Sequence, residues 1–445
     1  MYEKSWILGG EKMSAGICIM NKHAVAMAAD SAVTIGQHVA IHNSANKLFA
    51  LSRCEPVGVI VYANASFMQI PIEIIIKQYK AFLGSKAFES LEEYVSDFIG
   101  YIENNPSLFR FEKTEELYIQ NVYVDLFKGM VGDRKQYIDK KLSEVSRELT
   151  EDELSEISEK TFNATCNFIE AQKKIPDFSF SAYIEEKYCN SIKEHINNNF
   201  SWLTNDQSAT LAKKVCQLFD SDFFRNGFVG MSFAGYGKSE IFPQMIHLEL
   251  GGIINSKLRY LKKEHVSIDE SNDASITPLA QTDVMQTFLF GINDGFLQKI
   301  ATEVPRQIIR KMADIDNNNF ADGKKNAVIK ELNTSTKNII NEIVKKANEE
   351  YMQPILQSVS TLPIEELSLF AESMINITSV RRKVALDGNI GTVGGPIDVA
   401  IISKHDGFIW MKRKHYFDIK YNPQYLYTHY NSDAKKEVDY ENADK

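Results

Sequence analysis

The chain has 445 residues, 44% of them apolar and 24% charged, with a formal net charge of -9. That length and apolar share fit two or three domains with full cores, while the acidic balance argues against a nucleic-acid binder despite local basic runs such as "MKRKH" (411–415). The most apolar run, "FMQIPIEIIIKQYK", is broken by Pro71, Glu73 and Lys77 and excludes a membrane span, and the cysteines (Cys18, Cys54, Cys166, Cys189, Cys216) form no Cys-x-x-Cys pair, so the chain reads as cytoplasmic with reduced thiols.

Residues 14–36 alternate and punctuate like strands: "AGICIM", a polar "NKH" turn, "AVAMAAD", then "SAVTIG", closed by Gly36. A second pair, "KLFALS" and "VGVIVYA", is joined by a loop around Arg53–Pro56. Helical spacing of Ile70, Ile74, Ile75 and Tyr79, following Ala65–Phe67, predicts a helix ending near Gly84. From 85 to 225 the segments are Glu/Lys-rich and amphipathic, which predicts an all-helical block whose charged runs are solvated faces. Strands return at 227–237, 240–252 and "IINSKLRYL", helices follow at about 282–313, 320–350 and 364–385, and the chain closes with "PIDVAIIS", a "KHDG" turn and "FIWMKRKHYF". This order predicts an α+β fold of two packed sheets with helices outside. The domain would be split, 14–84 and 226–424, with 85–225 inserted, 315–360 a helical extension, 1–13 a leader and 425–445 a polar tail. A long insertion at a surface connection is tolerated because closure entropy grows only logarithmically with length.

Three polar residues stand out in the opening strands. Asp30 ends "AVAMAA", Lys47 sits at the lip of "KLFAL", and Ser14 precedes the first strand. Each charge alone also fits a solvated strand end or a local ion pair. "AGYGKSE" (234–240) is not a phosphate-binding loop, because Ser232 stands where the first Gly would be needed. His38 and His42 fall in a strand or loop, where a spacing of four suits a metal poorly; no metal and no cofactor is expected.

"SAGICIMNKHAVAMAADSAVTIG", "ANKLFALS" and "VGVIVYANASFMQIPIEIIIKQY" together resemble the opening of proteasome β-subunits and of the HslV-type peptidase, which are N-terminal-nucleophile (Ntn) hydrolases. The later "GFVGMSFAGYGKSEIFPQMIHLELGG" and "TVGGPIDVAIISKHDGFI" are similar to that family's central strand pair and closing hairpin. The resemblance implies a four-layer αββα sandwich of two antiparallel sheets with an all-helical insertion. It implies a proteasome-like peptide hydrolase in which Ser14 is the nucleophile, Asp30 and Lys47 support it, and Asn64 supplies a backbone oxyanion donor at the start of the following helix. Asp387 would be a further supporting residue, with Gly291-Ile292-Asn293 in place of the family's Gly-Ser-Gly, and Tyr62, Ala63 and Ser66 would border the substrate pocket. The partners it implies are a peptide or protein substrate, further copies of the chain in a homo-oligomer, and an ATPase or another regulatory partner. A catalytically inactive scaffold of the same fold and an Ntn amidohydrolase of a small amide are the alternatives.

A serine hydroxyl needs a base within reach, and the α-amine of an N-terminal serine, with a reference pKa of about 7.7–8.0, can be that base. A Lys47 ammonium beside it would lower that pKa, and Asp30 would orient Lys47. The base exists only when Ser14 is the first residue. "GGEKM" (9–13) back-translates to a purine-rich run ahead of an ATG, so translation is expected to start at Met13, with removal of that methionine exposing Ser14.

Overall fold

The structure is a computed structural model that describes residues 14–35, 40–42, 45–105, 113–145, 147–224, 227–315, 322–384, 394–414, 417 and 419–423. Among the described residues the chain opens with the strands β1 (Ala15–Asn21), β2 (Val25–Ala29), β3 (Val33–Ile35), β4 (Ala40–His42), β5 (Leu48–Ala50), β6 (Val57–Ala63), β7 (Ser66–Phe67) and β8 (Ile70–Pro71). Helices α1 (Ile72–Leu83), α2 (Leu91–Asn104), α3 (Thr114–Val145), α4 (Glu151–Glu170), α5 (Ser181–Asn199) and α6 (Asn205–Leu218) follow. Then come β9 (Val229–Gly235), β10 (Gln244–Ile254), β11 (Lys257–Ser267) and β12 (Ala274–Ala280). The chain continues through α7 (Asp283–Phe290), α8 (Asp294–Ile315), α9 (Asp322–Ala347), a π turn, α10 (Gln353–Thr361) and α11 (Ile364–Val384), and ends in the hairpin β13 (Asp398–Ser403) and β14 (Gly407–Lys412).

The fold is α+β, with two five-stranded sheets in the orders β12-β1-β2-β13-β14 and β11-β10-β9-β6-β5, every pairing antiparallel. The composition of β1 follows from its place. All seven of its residues are buried, because Ala15, Ile17 and Ile19 pack under α7, α10 and α11 while Cys18 and Met20 meet the second sheet. A strand covered on both faces reads as a continuous apolar run rather than an alternating one. The sheets approach so closely at Gly58 that a Cβ there would lie 2.8 Å from Ile402 and Phe408. On the other side of the second sheet, Val57, Val59 and Val61 of β6 pack against Ile72, Ile75, Ile76 and Tyr79 of α1.

The helical block has a core of its own. Leu126 and Met130 of α3, Ile169 of α4, Ile184, Ile192 and Ile196 of α5 and Leu211 and Val215 of α6 pack together, joined by Ile254 at the end of β10. Capping boxes at Thr150–Glu153 and Thr204–Gln207 start α4 and α6. The expected insertion, 85–225, divides here: Leu91, Tyr94, Val95 and Phe98 of α2 belong to the core beneath the second sheet, not to the helical block. The strand β12 was not expected between 263 and 281. Among the described residues no helix is long and apolar enough to cross a membrane.

Candidate active site

The β1–β2 hairpin pairs Gly16 with Ala29, so the residue that follows β2, Asp30, lands beside the start of β1. Its backbone N–H donates to Ala15 O at 3.1 Å, and its carboxylate accepts from Ala15 N at 2.8 Å. The same carboxylate accepts from Ala32 N and Gly394 N, each at 3.1 Å, and from Lys47 Nζ at 2.6 Å. Lys47 also donates to Ala32 O at 2.5 Å, and its own carbonyl takes Val61 N–H at 2.7 Å, which ties the loop before β5 to β6. Asp30 is 1% and Lys47 5% exposed. A buried carboxylate with three backbone N–H donors and an ammonium is fully compensated.

Burial pushes the Lys47 ammonium below its ordinary pKa; Asp30 opposes that shift by charge and hydrogen bond, and the Lys414 charge adds to it. Lys414 belongs to a second pair that the sequence did not single out. β13 pairs with β2 so that Asp398 sits opposite Ala29, and its carboxylate accepts from the backbone N–H of Lys414 at 2.9 Å and from Lys414 Nζ. Asp398 is buried. Two ion pairs therefore meet at the end of β2: Asp30, which follows β2, with Lys47 before β5 of the other sheet, and Asp398 on the neighbouring β13 with Lys414.

Ser14 is buried at the head of β1, its carbonyl accepting from Gln281 N at 3.0 Å. Gly16, Cys18 and Met20 face the second sheet, since a Cβ on Gly16 would lie 3.2 Å from Ile60 and the other two pack between the sheets. Alternation puts Ser14 on that same face. The structure thus brings Ser14, Asp30, Lys47 and Gly394 of the closing "TVGG" to one end of the sheet pair.

The other expected residues are placed differently. Asn64 is exposed and is not at a helix start: the hairpin of β7 and β8 intervenes, with Met68 and Gln69 at positive φ, and α1 begins at Ile72, so the helix-dipole argument for Asn64 lapses. Ala63, just before it, has φ 66, a conformation that turns the chain sharply away from β6. Tyr62 is buried between the sheets, its ring over Gly230 and its hydroxyl bonded to His247 Nε2, so it packs the interior instead of bordering an open pocket; Ser66 is exposed. A Cβ on Gly230 would lie 2.2 Å from the Tyr62 ring, which is why that position carries no side chain. Gly291 turns the chain after α7 at φ 67 and meets Tyr351. Asp387, His38, and residues 1–13 with Met13 lie outside the described residues, and the side chain of His42 does too.

Among the described residues no group of three or more His, Cys, Asp or Glu could hold a metal ion. What the arrangement offers is a hydroxyl at a strand head beside a lysine held below its ordinary pKa and aimed by a fixed carboxylate. The chemistry that fits such a set is proton transfer to or from an oxygen nucleophile.

No family model matches the chain, and no curated protein matches it either. Two solved structures are distantly similar over nearly their full lengths. One is a Gly-1 mutant of Anbu from Hyphomicrobium sp. strain MC1, 9% identical, with 96% of each chain covered and a TM-score of 0.27. The other is Anbu, an ancestral beta-subunit, from Yersinia bercovieri, 8% identical, covering 94% of this chain and 97% of that one, with a TM-score of 0.25. At these scores neither fold nor chemistry is carried across, and the functional reading rests on this chain's own residues.

Proposed function

We propose that this chain is an N-terminal-nucleophile peptide hydrolase, a proteasome-like αββα sandwich whose nucleophile is Ser14 once residues 1–13 have been removed. The observation that carries the reading is the wiring of Asp30, which holds Ala15 N, Lys47 Nζ and Gly394 N at once beside Ser14. In the proposed reaction the free α-amine of Ser14 takes the proton of its own Oγ as that oxygen bonds to the scissile carbonyl carbon. The C–N bond then breaks, the leaving amine takes the proton, and water hydrolyses the resulting ester by the same route. Lys47 disfavours a second positive charge on the α-amine and so keeps it basic but unprotonated, while Asp30 fixes Lys47. The oxyanion donor belongs to the sharp turn at Ala63–Ser66, with Asn64 N–H the first candidate. Peptides or proteins are the substrate class, and further copies of the chain and an ATPase or other regulatory protein are the partners that go with the reading.

The test compares the chain beginning at Ser14, the full chain and the Ser14→Ala form of the shorter chain on a fluorogenic peptide amide. Turnover is expected in the first alone, with the other two down by about a thousandfold or more. Equal inactivity of all three would replace the enzyme with an inactive scaffold of the same fold. Hydrolysis of small amides with none of peptides would make it an amidohydrolase.

A further inference from the structure

β12 is the edge of the first sheet, and its register against β1 sets Ala15 opposite Ala280, Gly16 opposite Leu279 and Cys18 opposite Thr277. The next pair in that series is Ser14 and Gln281, joined by the bond from Gln281 N to Ser14 O. Cys18 and Leu279 lie toward the second sheet, but Ala280, at φ 68, packs between the sheets as Leu279 does and breaks the alternation of β12, so the bond from Gln281 N to Ser14 O, not alternation, holds Gln281 beside Ser14. Gln281 is 7% exposed, and its Oε1 has no hydrogen-bond partner among the described residues. An amide oxygen taken out of water without a donor is unfavourable. At this position one donor can arrive later: the nitrogen of Ser14, which gains N–H bonds when the peptide bond before it is cut. Asp30 is already served by four donors and is not the natural acceptor for it.

We propose that Gln281 is a positioning residue that recognises the free N-terminus of Ser14: its Oε1 accepts one N–H of the α-amine and so turns the nitrogen lone pair toward Ser14 Oγ. This rests on the Ntn reading of Ser14. The amide is neutral, so it orients the amine without holding a proton on it as a carboxylate would. The charged groups around that amine are Asp30 and Lys47, with Asp398 and Lys414 behind them, while Asp283, two residues beyond Gln281, is engaged by Arg382. Proton balance is unchanged from the reaction above, because Gln281 neither gains nor loses a proton.

The experiment is a cycle of four chains: full and Ser14-initiated, each with Gln281 or with Gln281→Met. In the Gln281 background, trimming raises the melting temperature by about 2 °C more than it does in the Met background, and Gln281→Met leaves the full chain at least as stable as before. In turnover, Gln281→Met lowers kcat about a hundredfold with KM within about twofold. Gln281→Glu keeps the acceptor but adds charge, so it restores turnover at high pH and moves the acidic limb of kcat/KM up by about one pH unit. A Gln281→Met substitution that destabilises full and trimmed chains equally, or a Glu form whose acidic limb stays in place, overturns the proposal. Ser14→Ala keeps the α-amine, so its trimmed chain retains the melting gain even if no turnover is ever found, which separates failure of the Gln281 contact from failure of the nucleophile.

Discussion

Lys47 and Arg259 are both cations drawn out of water, 5% and 0% exposed, at two different seams of the molecule. Lys47 lies at the end of the sheet pair and answers to a carboxylate. Arg259, on β11, lies where the helical block meets the second sheet, and its bonds end on neutral oxygens: Nε on Phe219 O at 2.8 Å, one terminal nitrogen on Tyr118 OH at 3.0 Å, the other on Ser221 O at 2.7 Å and Phe223 O at 3.0 Å. The rings of Phe224, Phe219 and Phe178 stand at 4.2, 5.5 and 5.6 Å from its guanidinium carbon. A guanidinium has five N–H donors in a rigid fork and suits three carbonyls presented by one turn. A lysine ammonium is a compact charge whose proton affinity its surroundings can shift, and at Lys47 burial shifts it down. The contrast separates a buried charge used as a fastener from one placed where proton affinity matters.

Replacing the fastener should have the larger effect on stability. Arg259→Met strands the carbonyls of Phe219, Ser221 and Phe223 in an apolar seam, and the loss should be about 3–4 kcal/mol in urea unfolding. Hydrogen exchange should rise first in the segment 205–224 and in β11. If the folded fraction also loses turnover in proportion to nothing but its population, the two seams are energetically separate; a further loss of kcat would show that the helical block shapes the site.

Lys47→Met should lower stability by less, about 2 kcal/mol, because Asp30 keeps its three backbone donors, yet it should abolish turnover. The pH dependence has a definite sign. With its folded pKa below the unfolded value of about 10.4, Lys47 binds its proton more readily in the unfolded chain, so the native state gains stability as pH rises through the window between the two. Below that window Lys47 contributes no pH dependence. Urea midpoints of the native chain should therefore rise relative to Lys47→Met on going to alkaline pH, and a gap that narrows instead would place the Lys47 pKa above its ordinary value.

The same contrast explains what was legible in the sequence. Asp30 and Lys47 could be noticed because each is a charge at the edge of an apolar strand, which is a local anomaly. Asp398 and Lys414 could not, since one sits at the head of "DVAIIS" and the other in a basic run, and only the pairing of β13 with β2 brings them to the end of β2. β12 was hidden by Pro278 and by the polar residues ahead of it. It tolerates the proline because it is an edge strand, where a missing N–H breaks no ladder bond on the open side. Gln281 was lost with it. The hairpin of β7 and β8 was read as the start of a helix because its turn uses Met68 and Gln69 at positive φ instead of the Asn-Gly that usually marks such a turn. The β10–β11 hairpin turns at Asn255 and Ser256, also at positive φ, inside "IINSKLRYL", which reads as one strand because the Gly251-Gly252 pair marks the break two residues too early. For α2, amphipathicity was plain, but which core it would face was not a local property.

Glu115 offers the finest test of the contrast, because it is a carboxylate at the fastener seam. From α3 it accepts Tyr188 OH at 2.6 Å, Tyr183 OH at 2.8 Å and Lys187 Nζ at 3.0 Å through one oxygen, and the backbone N–H of Asn255 in the β10–β11 turn at 2.8 Å through the other. Burial works to raise its pKa, but those four bonds together outweigh it and hold the group below its ordinary value. Such a carboxylate contributes stability that is complete above its unfolded pKa of about 4.3 and disappears as pH falls through the lower folded value. Glu115→Gln should accordingly cost about 1 kcal/mol near neutrality, and the gap from the native chain should close as pH falls below about 4.3 and through the lower folded value. Because Glu115 touches only the helical block and one turn, turnover by the Ser14-initiated chain should be the same in both. A gap that persists in acid would mean that the Glu115 bonds hold geometry rather than charge, and the helical seam would then differ from the Asp30 end even more sharply than Arg259 alone implies.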